Sequence, residues 1–221
     1  MVDRASGVPI AKEGVPFVVG VGAPALAAGA LGFIGPAMVL AALAGYTAWF
    51  FRNPHRDVPA GEDLIVSPGD GKVVAIDGEF EPRFLKIDSI RISIFLNIFS
   101  VHINRVPCGG IIRDVGYQPG QFMAANHPNA SVRNEQNAVM IQRQDGKKVL
   151  CVQIAGLIAR RIVCWASPGE LVMKGERFGL IRFGSRMDVF LPPESEVKVQ
   201  VGDWVKGGTS ILAELPCADL S

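Results

Sequence analysis

An excess of charge of either sign is missing from this chain of 221 residues: 22 Lys and Arg stand against 21 Asp and Glu, a formal net charge of +1. There is no bulk basic field to grip phosphate backbones, which excludes a nucleic-acid partner held by charge. Cysteine is sparse, and Cys108, Cys151, Cys164 and Cys217 form no C-x-x-C pair. That spacing excludes a zinc ribbon and a thioredoxin-like motif, and no metal site is expected. Buried, reduced thiols in a reducing compartment fit it best. Histidine is scarcer still, with only His55, His102 and His127. A hydrolase nucleophile elbow is absent, because Phe183-Gly-Ser-Arg-Met187 lacks the second glycine of G-x-S-x-G.

The largest absence is local. From Val15 to Phe51 no residue is charged. As one straight helix this run would be about 55 Å long, nearly twice the ~30 Å hydrocarbon core of a bilayer. Gly32, Gly35 and Pro36 fall near its middle and mark a turn. A hairpin of two helices, Val15–Leu31 and Ala37–Phe51, is therefore expected as a membrane-anchoring region over residues 1–56. Ala28/Gly32 and Ala41/Gly45 supply small-xxx-small spacing for close helix approach. Tyr46, Trp49, Phe50 and Phe51 read as an aromatic belt, with Arg52 and Arg56 beyond it and Arg4 and Lys12 at the other end. Basic flanks on both sides place both ends at the cytoplasmic face of the cell membrane. The run is too long for the apolar core of a signal peptide. Spanning and re-entrant hairpins both stay open, since each half is short for a crossing.

From residue 57 onward the chain is rich in Val, Ile, Gly and Pro, and no amphipathic helix of convincing length appears. A mainly β catalytic domain over 57–221 is expected. Val66–Ile76 reads as a turn feeding a strand. Ile90–Ile98 alternates apolar and polar residues, and Val149–Ile162 and Leu180–Leu191 are further strand candidates. Pro168–Ile181 and Val201–Leu212 both carry G-[DE]-x-V and reach a Lys-Gly turn before an apolar strand. That is the strand–turn–strand signature of lipoyl-like β-sandwich and barrel domains. Lys174 and Lys206 precede glycine and look like turn residues, so a lysine-borne cofactor is not expected.

Gly184-Ser185 lies between two short apolar strand segments. Glycine tolerates an unusual backbone and leaves its carbonyl open to the next side chain. The serine hydroxyl can attack that carbonyl, convert the peptide to an ester and, after elimination, leave a new N-terminal pyruvoyl group. The plainer reading is a Gly-Ser bend in a sheet. His102 continues the apolar parity of Ile90–Ile98, which turns its ring toward the core if no bulge intervenes. Asp70, in Pro68-Gly-Asp-Gly71, is a turn residue on its own. Together Asp70, His102 and Ser185 are nevertheless sufficient for a relay in which a carboxylate orients an imidazole and the imidazole deprotonates a hydroxyl. His55 reads as an interfacial polar residue and His127 as a loop residue.

Five stretches, in order, resemble the shorter bacterial and archaeal form of phosphatidylserine decarboxylase. They are Phe51-Arg-Asn-Pro54, Ser67-Pro-Gly-Asp-Gly-Lys72, Ser100-Val-His-Ile-Asn-Arg-Val-Pro107, Arg133-Asn-Glu135 and Phe183-Gly-Ser-Arg186. The resemblance implies a proenzyme that cuts itself between Gly184 and Ser185. The products would be a β chain, 1–184, and an α chain, 185–221, that begins with the pyruvoyl cofactor made from Ser185. It implies Asp70, His102 and Ser185 as the relay driving that cut. In the mature enzyme the ketone would condense with the serine amine of phosphatidylserine and accept the electron pair left by CO₂. His102 is then the proton donor, and the product is phosphatidylethanolamine. Arg52 and Arg56 lie where a lipid phosphate would be, and Arg186 beside the pyruvoyl is a third substrate-binding candidate. Longer family members carry Gly-Ser-Thr at the cut and a second histidine where Arg105 stands here. A homo-oligomer is compatible with the sequence and not required by it. Two rival readings are a membrane-tethered lipoyl-like adaptor and a serine hydrolase that leaves its chain whole.

Overall fold

A computed structural model describes residues 9–123, 133–157, 161–182 and 184–216. Arg4, His127, Phe183 and Cys217 lie outside the described residues. The chain divides into two compact units, one ending at His55 and the other beginning at Arg56.

The first unit is a helical hairpin, α1 (Val15–Ala30) and α2 (Ile34–Phe50). α1 ends where expected, because Gly32 takes φ +82° and closes a Schellman motif: its N–H donates to Gly29 O at 3.0 Å, and Phe33 N–H donates to Ala28 O at 2.9 Å. Gly35 and Pro36 do not form the turn. They sit in the first turn of α2, where a missing proline N–H costs no intrahelical bond. The shorter link changes which small residues face each other. A Cβ on Gly22 would lie 4.0 Å from that of Ala44, and one on Gly29 3.8 Å from that of Ala37, whereas neither Gly32 nor Gly45 has a neighbour within 4 Å. Lys12–Ala30, at 19 residues, is long and apolar enough to cross a membrane. α2 is equally apolar, but its 17 residues make only about 26 Å of helix.

The second unit is built of antiparallel strands. An eight-stranded sheet runs in the order β13 (Trp204–Val205), β2 (Gly71–Glu81), β3 (Ile87–Leu96), β11 (Ser185–Leu191), β7 (Lys148–Ile154), β6 (Gln136–Gln142), β5 (Gly110–Gln118) and β9 (Leu171–Val172). Two small sheets complete it: β1 (Leu64–Val66), β14 (Ile211–Glu214) and β12 (Glu196–Val197), and β4 (Ile103–Arg105), β10 (Arg177–Ile181) and β8 (Ile162–Cys164). The strand expected over Val149–Ile162 is thus two strands, β7 and β8, in different sheets. The expected break in Leu180–Leu191 is present, between β10 and β11. Apolar residues at alternate positions, such as Ile92, Ile94 and Leu96 or Met187, Val189 and Leu191, send one face of the large sheet into the main core. The other face carries a smaller cluster around Leu150, Val152 and Phe190, covered by Phe84 and Leu85. That cover is pinned by Glu81, whose Oε2 accepts from Phe84 N at 2.7 Å and Leu85 N at 2.6 Å. The three described cysteines are free. Cys108 and Cys151 are buried and Cys164 is half-buried, and burial pushes the Cys108 thiol up to about 12, which keeps it unreactive.

The large sheet is palindromic. β13 answers to β9, β2 to β5, β3 to β6 and β11 to β7. The hydrogen bonds agree: Val73 and the Gly202–Asp203 turn exchange the bonds that Ile112 exchanges with Gly169–Glu170, all at 2.7–2.9 Å. Gly71 and Gly110 share one environment, since a Cβ on the first would collide with Phe95 O and press on Ile94, and on the second with Gln142 O and Ile141. Neither position admits another residue. The faint repeat at 168–181 and 201–212 is the sequence trace of this symmetry. Gly175 and Gly208 take matching φ of +79° and +78° within it.

Candidate functional site

β11 is bonded along both edges, with Ser185 opposite Leu96 of β3 and Arg186 opposite Ile154 of β7. Ser185 opens that strand and is 0% exposed, on the core face with Met187. Its Oγ is buried without a hydrogen-bond partner among the described residues. An unbonded buried hydroxyl costs free energy, about 1–3 kcal/mol, so its retention points to use. Gly184, just before it, takes φ +60°, a conformation that side-chain-bearing residues rarely adopt.

His102 meets this peptide. The strand β3 stops at Leu96, and a turn over Asn97–Ser100 breaks the parity that the alternation suggests. His102 is buried, at 3% exposure, because it leads into β4: its carbonyl accepts from Ile181 N at 3.2 Å and Ile103 pairs with Leu180. Its Nδ1 lies 2.9 Å from Ser100 O, and its Nε2 accepts from Gly184 N–H at 3.3 Å. A carbonyl only accepts, so Nδ1 carries the proton and Nε2 receives the Gly184 N–H, one peptide bond before the Gly184–Ser185 link.

Asp70 does not bond the imidazole. Its carboxylate accepts from Arg56 Nη2 at 2.9 and 2.7 Å and from Gly207 N at 2.7 Å. The turn it belongs to is nonetheless beside the site, since a Cβ on Gly69 would lie 3.3 Å from Leu96 and 3.5 Å from Met187. Arg105 joins the group. Its backbone N donates to Pro68 O at 2.8 Å and its Nη1 to Gly175 O at 2.9 Å. Burial first, then the charges of Arg56 and Arg177, lower the Arg105 pKa to about 10, with Asp70 opposing. It is still a cation at neutral pH. Arg56 pairs with the Asp70 carboxylate, and Arg105 lies near enough to feel both charges, a setting suited to a further anion next to the Ser185 row.

Arg186 and Arg52 are engaged elsewhere. Arg186 is buried and forms a fork on Asp188, Nε to Oδ1 at 2.6 Å and Nη2 to Oδ2 at 3.1 Å, while Nη2 also donates to Ser93 Oγ at 2.6 Å. Arg52, in the first unit, stacks 3.7 Å over the Trp49 ring and donates Nη1 to Trp49 O at 2.9 Å. Asp188 was not singled out by sequence, although Arg186-Met-Asp188 places the pair on one face of a strand. Asp188→Ala strands a buried guanidinium, and unfolding free energy measured with denaturant is expected to fall by about 3–5 kcal/mol. An unchanged midpoint would show that the fork contributes nothing.

A buried amide chain also escaped the sequence. Gln153 Nε2 donates to Asn104 Oδ1 at 2.8 Å, and Asn137 Nδ2 donates to Gln153 Oε1 at 3.0 Å. Gln153 pairs with Met187, two residues from Ser185, so the chain underlies the site. Only the shared parity of His102 and Asn104 hinted at it. Among the described residues no group of three or more His, Cys, Asp and Glu could hold a metal ion.

Comparison with known proteins bears on this geometry. The family model described as phosphatidylserine decarboxylase matches residues 43–213. The chain is 48% identical over 206 residues to the phosphatidylserine decarboxylase proenzyme of Syntrophus aciditrophicus, covering 92% of this chain and 96% of that one. It is 46% identical over 205 residues to the proenzyme of Nitrosomonas eutropha, covering 93% and 94%. With the proenzyme of Geobacter metallireducens the identity is 43% over 218 residues, covering 96% and 100%.

Proposed function

The chain belongs to the phosphatidylserine decarboxylase family of carboxy-lyases, and from that premise we propose that it makes its own electrophile by cutting the Gly184–Ser185 peptide. Ser185 Oγ attacks the Gly184 carbonyl carbon, the C–N bond breaks, and the new ester joins Gly184 to the Ser185 side chain. Nε2 of His102 takes the hydroxyl proton and returns it to the departing amine. Elimination then frees the Gly184 carboxylate, and hydrolysis with loss of ammonia leaves pyruvoyl at residue 185. The support for this reading is one juxtaposition: an unbonded, fully buried Ser185 hydroxyl behind a glycine at φ +60° whose N–H rests on the imidazole lone pair. The name proenzyme, carried by the relatives, fits a chain that is processed.

The residues around Ser185 fit the pyruvoyl group, because β11 stays bonded on both sides when its N-terminus is released. A pyruvoyl group supplies a ketone for the serine amine of phosphatidylserine and an acceptor for the electron pair left by CO₂. His102 holds the proton returned to the product. Arg56, backed by Asp70 and accompanied by Arg105, is the cation placed for the lipid phosphate. Asp70 thus acts as a positioning residue for the arginine and for the Gly207 turn. Arg186, neutralised by Asp188, serves the sheet rather than the substrate. The apolar hairpin holds the enzyme to the cell membrane at its cytoplasmic face.

Intact-mass measurement of the purified wild-type chain tests the cut. Two fragments are expected, 1–184 and 185–221, with the smaller refractory to Edman degradation. A serine hydrolase or an adaptor would stay whole. Full activity from an unbroken chain would overturn the reading.

A further inference from the structure

Three exposed apolar side chains stand at the end of the large sheet where Ser185 lies. β3 ends at Leu96, the partner of Ser185, and two residues on come Ile98 and Phe99, the latter 62% exposed. β7 ends at Ile154, the partner of Arg186, and three residues on comes Leu157, 63% exposed. Both links leave the two neighbours of β11 on the same side, so the tips flank the Gly184–Ser185 peptide. The first tip is held rigidly: Asn97 Oδ1 accepts from Phe99 N at 2.8 Å and Ser100 N at 3.0 Å. Immediately behind it, Ser100, Val101 and His102 are buried. Ile98 and Phe99 are displayed outward while the residues that follow are packed.

The three segments around these tips hold no acidic residue, although Glu135 O accepts from Ala155 N at 2.9 Å at the end of β7. Residues 97–105, 155–164 and 180–187 contain no Asp or Glu. Arg161 is exposed and Arg182 half-buried beside them, the two strands of backbone meeting where Arg182 N donates to Arg161 O at 3.4 Å. The exposed apolar pair at β9 lacks that setting. Leu171 and Met173 lie at β9, an edge of the sheet, with Glu170 and Glu176 adjacent.

We infer that the catalytic unit carries its own bilayer contact, with Ile98, Phe99 and Leu157 entering the headgroup layer of an anionic phospholipid membrane and Arg161 and Arg182 facing its phosphates. This rests on phosphatidylserine being the substrate. Apolar tips ringed by arginine match such a surface in both polarity and sign. The lengths agree as well: His102 is three steps along the chain from Phe99, at most ~10 Å. A headgroup layer is about 5–8 Å deep, so a tip seated at its inner limit keeps the imidazole and Ser185 within reach of a serine amine that never leaves the membrane.

The test compares full-length wild type with Phe99→Asp/Leu157→Asp on two substrates: phosphatidylserine in phosphatidylcholine vesicles, and water-soluble dibutyryl phosphatidylserine. The ratio of kcat/KM on vesicles to that on the soluble substrate is expected to fall about tenfold or more. A second variant, Leu171→Asp/Met173→Asp, is expected to keep the wild-type ratio. An unchanged ratio in the first variant, or an equal fall in the second, would overturn the inference. Fragment formation on a gel reports folding, and Phe99→Ser/Leu157→Ser replaces the aspartates if the first variant is not cut. Should wild type decarboxylate neither substrate, the substrate assignment fails instead.

Discussion

Ser185→Ala is expected to yield a single uncut chain with decarboxylase activity reduced at least about 10⁴-fold, the scale of losing an essential nucleophile. The fold should be indifferent to the change. Ser185 is fully buried, and its Oγ has no hydrogen bond among the described residues to lose. Deleting an unsatisfied hydroxyl is neutral or favourable for stability. β11 keeps its pairing with β3 and β7, which is made by backbone groups. Loss of cutting in a chain of unaltered thermal stability would therefore be chemical in origin. Cutting that persists would move the nucleophile to another residue.

Removing the imidazole should be nearly as severe. His102→Ala is expected to slow self-cutting about 10²–10⁴-fold, followed as the fraction of uncut chain against time after purification. The His102 Nε2 lone pair lies 3.3 Å from Gly184 N, and its Nδ1 proton is fixed on Ser100 O at 2.9 Å. Among the described residues the imidazole is thus oriented by a backbone carbonyl. Asp70→Asn separates the two roles, since it weakens the hold on Arg56 without touching the imidazole. A His102→Ala chain that matures at the wild-type rate would remove histidine from the proposal.

Local pattern carried most of the fold. Alternating residues gave β3, and the Gly-Ser interruption gave the break between β10 and β11. The turn in the hairpin was misplaced because Gly35-Pro36 suits a helix start as well as a loop, and Schellman geometry at Gly32 decided between them. The candidate site was legible as residue types and not as bonds. Asp70 bonds Gly207, 137 residues away, and Gln153 bonds Asn104, 49 residues away. No window of sequence spans such distances. His102 is buried as its parity suggests, but its burial comes from β4 after a turn, and the sequence alone does not show the fork of Arg186 on Asp188.

The mirror order of the large sheet has a consequence for how such chemistry could arise. Ile94 and Ile141 hold matching places against Gly71 and Gly110, and they pair with Met187 and Val149. Counting back three residues from each, Gly146 answers to Gly184, with φ of +81° against +60°, and Lys147 answers to Ser185. The mirror half thus offers the same permissive hinge with a lysine after it. Under the proposed cut a single hydroxyl sets one half apart, while its counterpart serves only to join β6 to β7 in the same sheet.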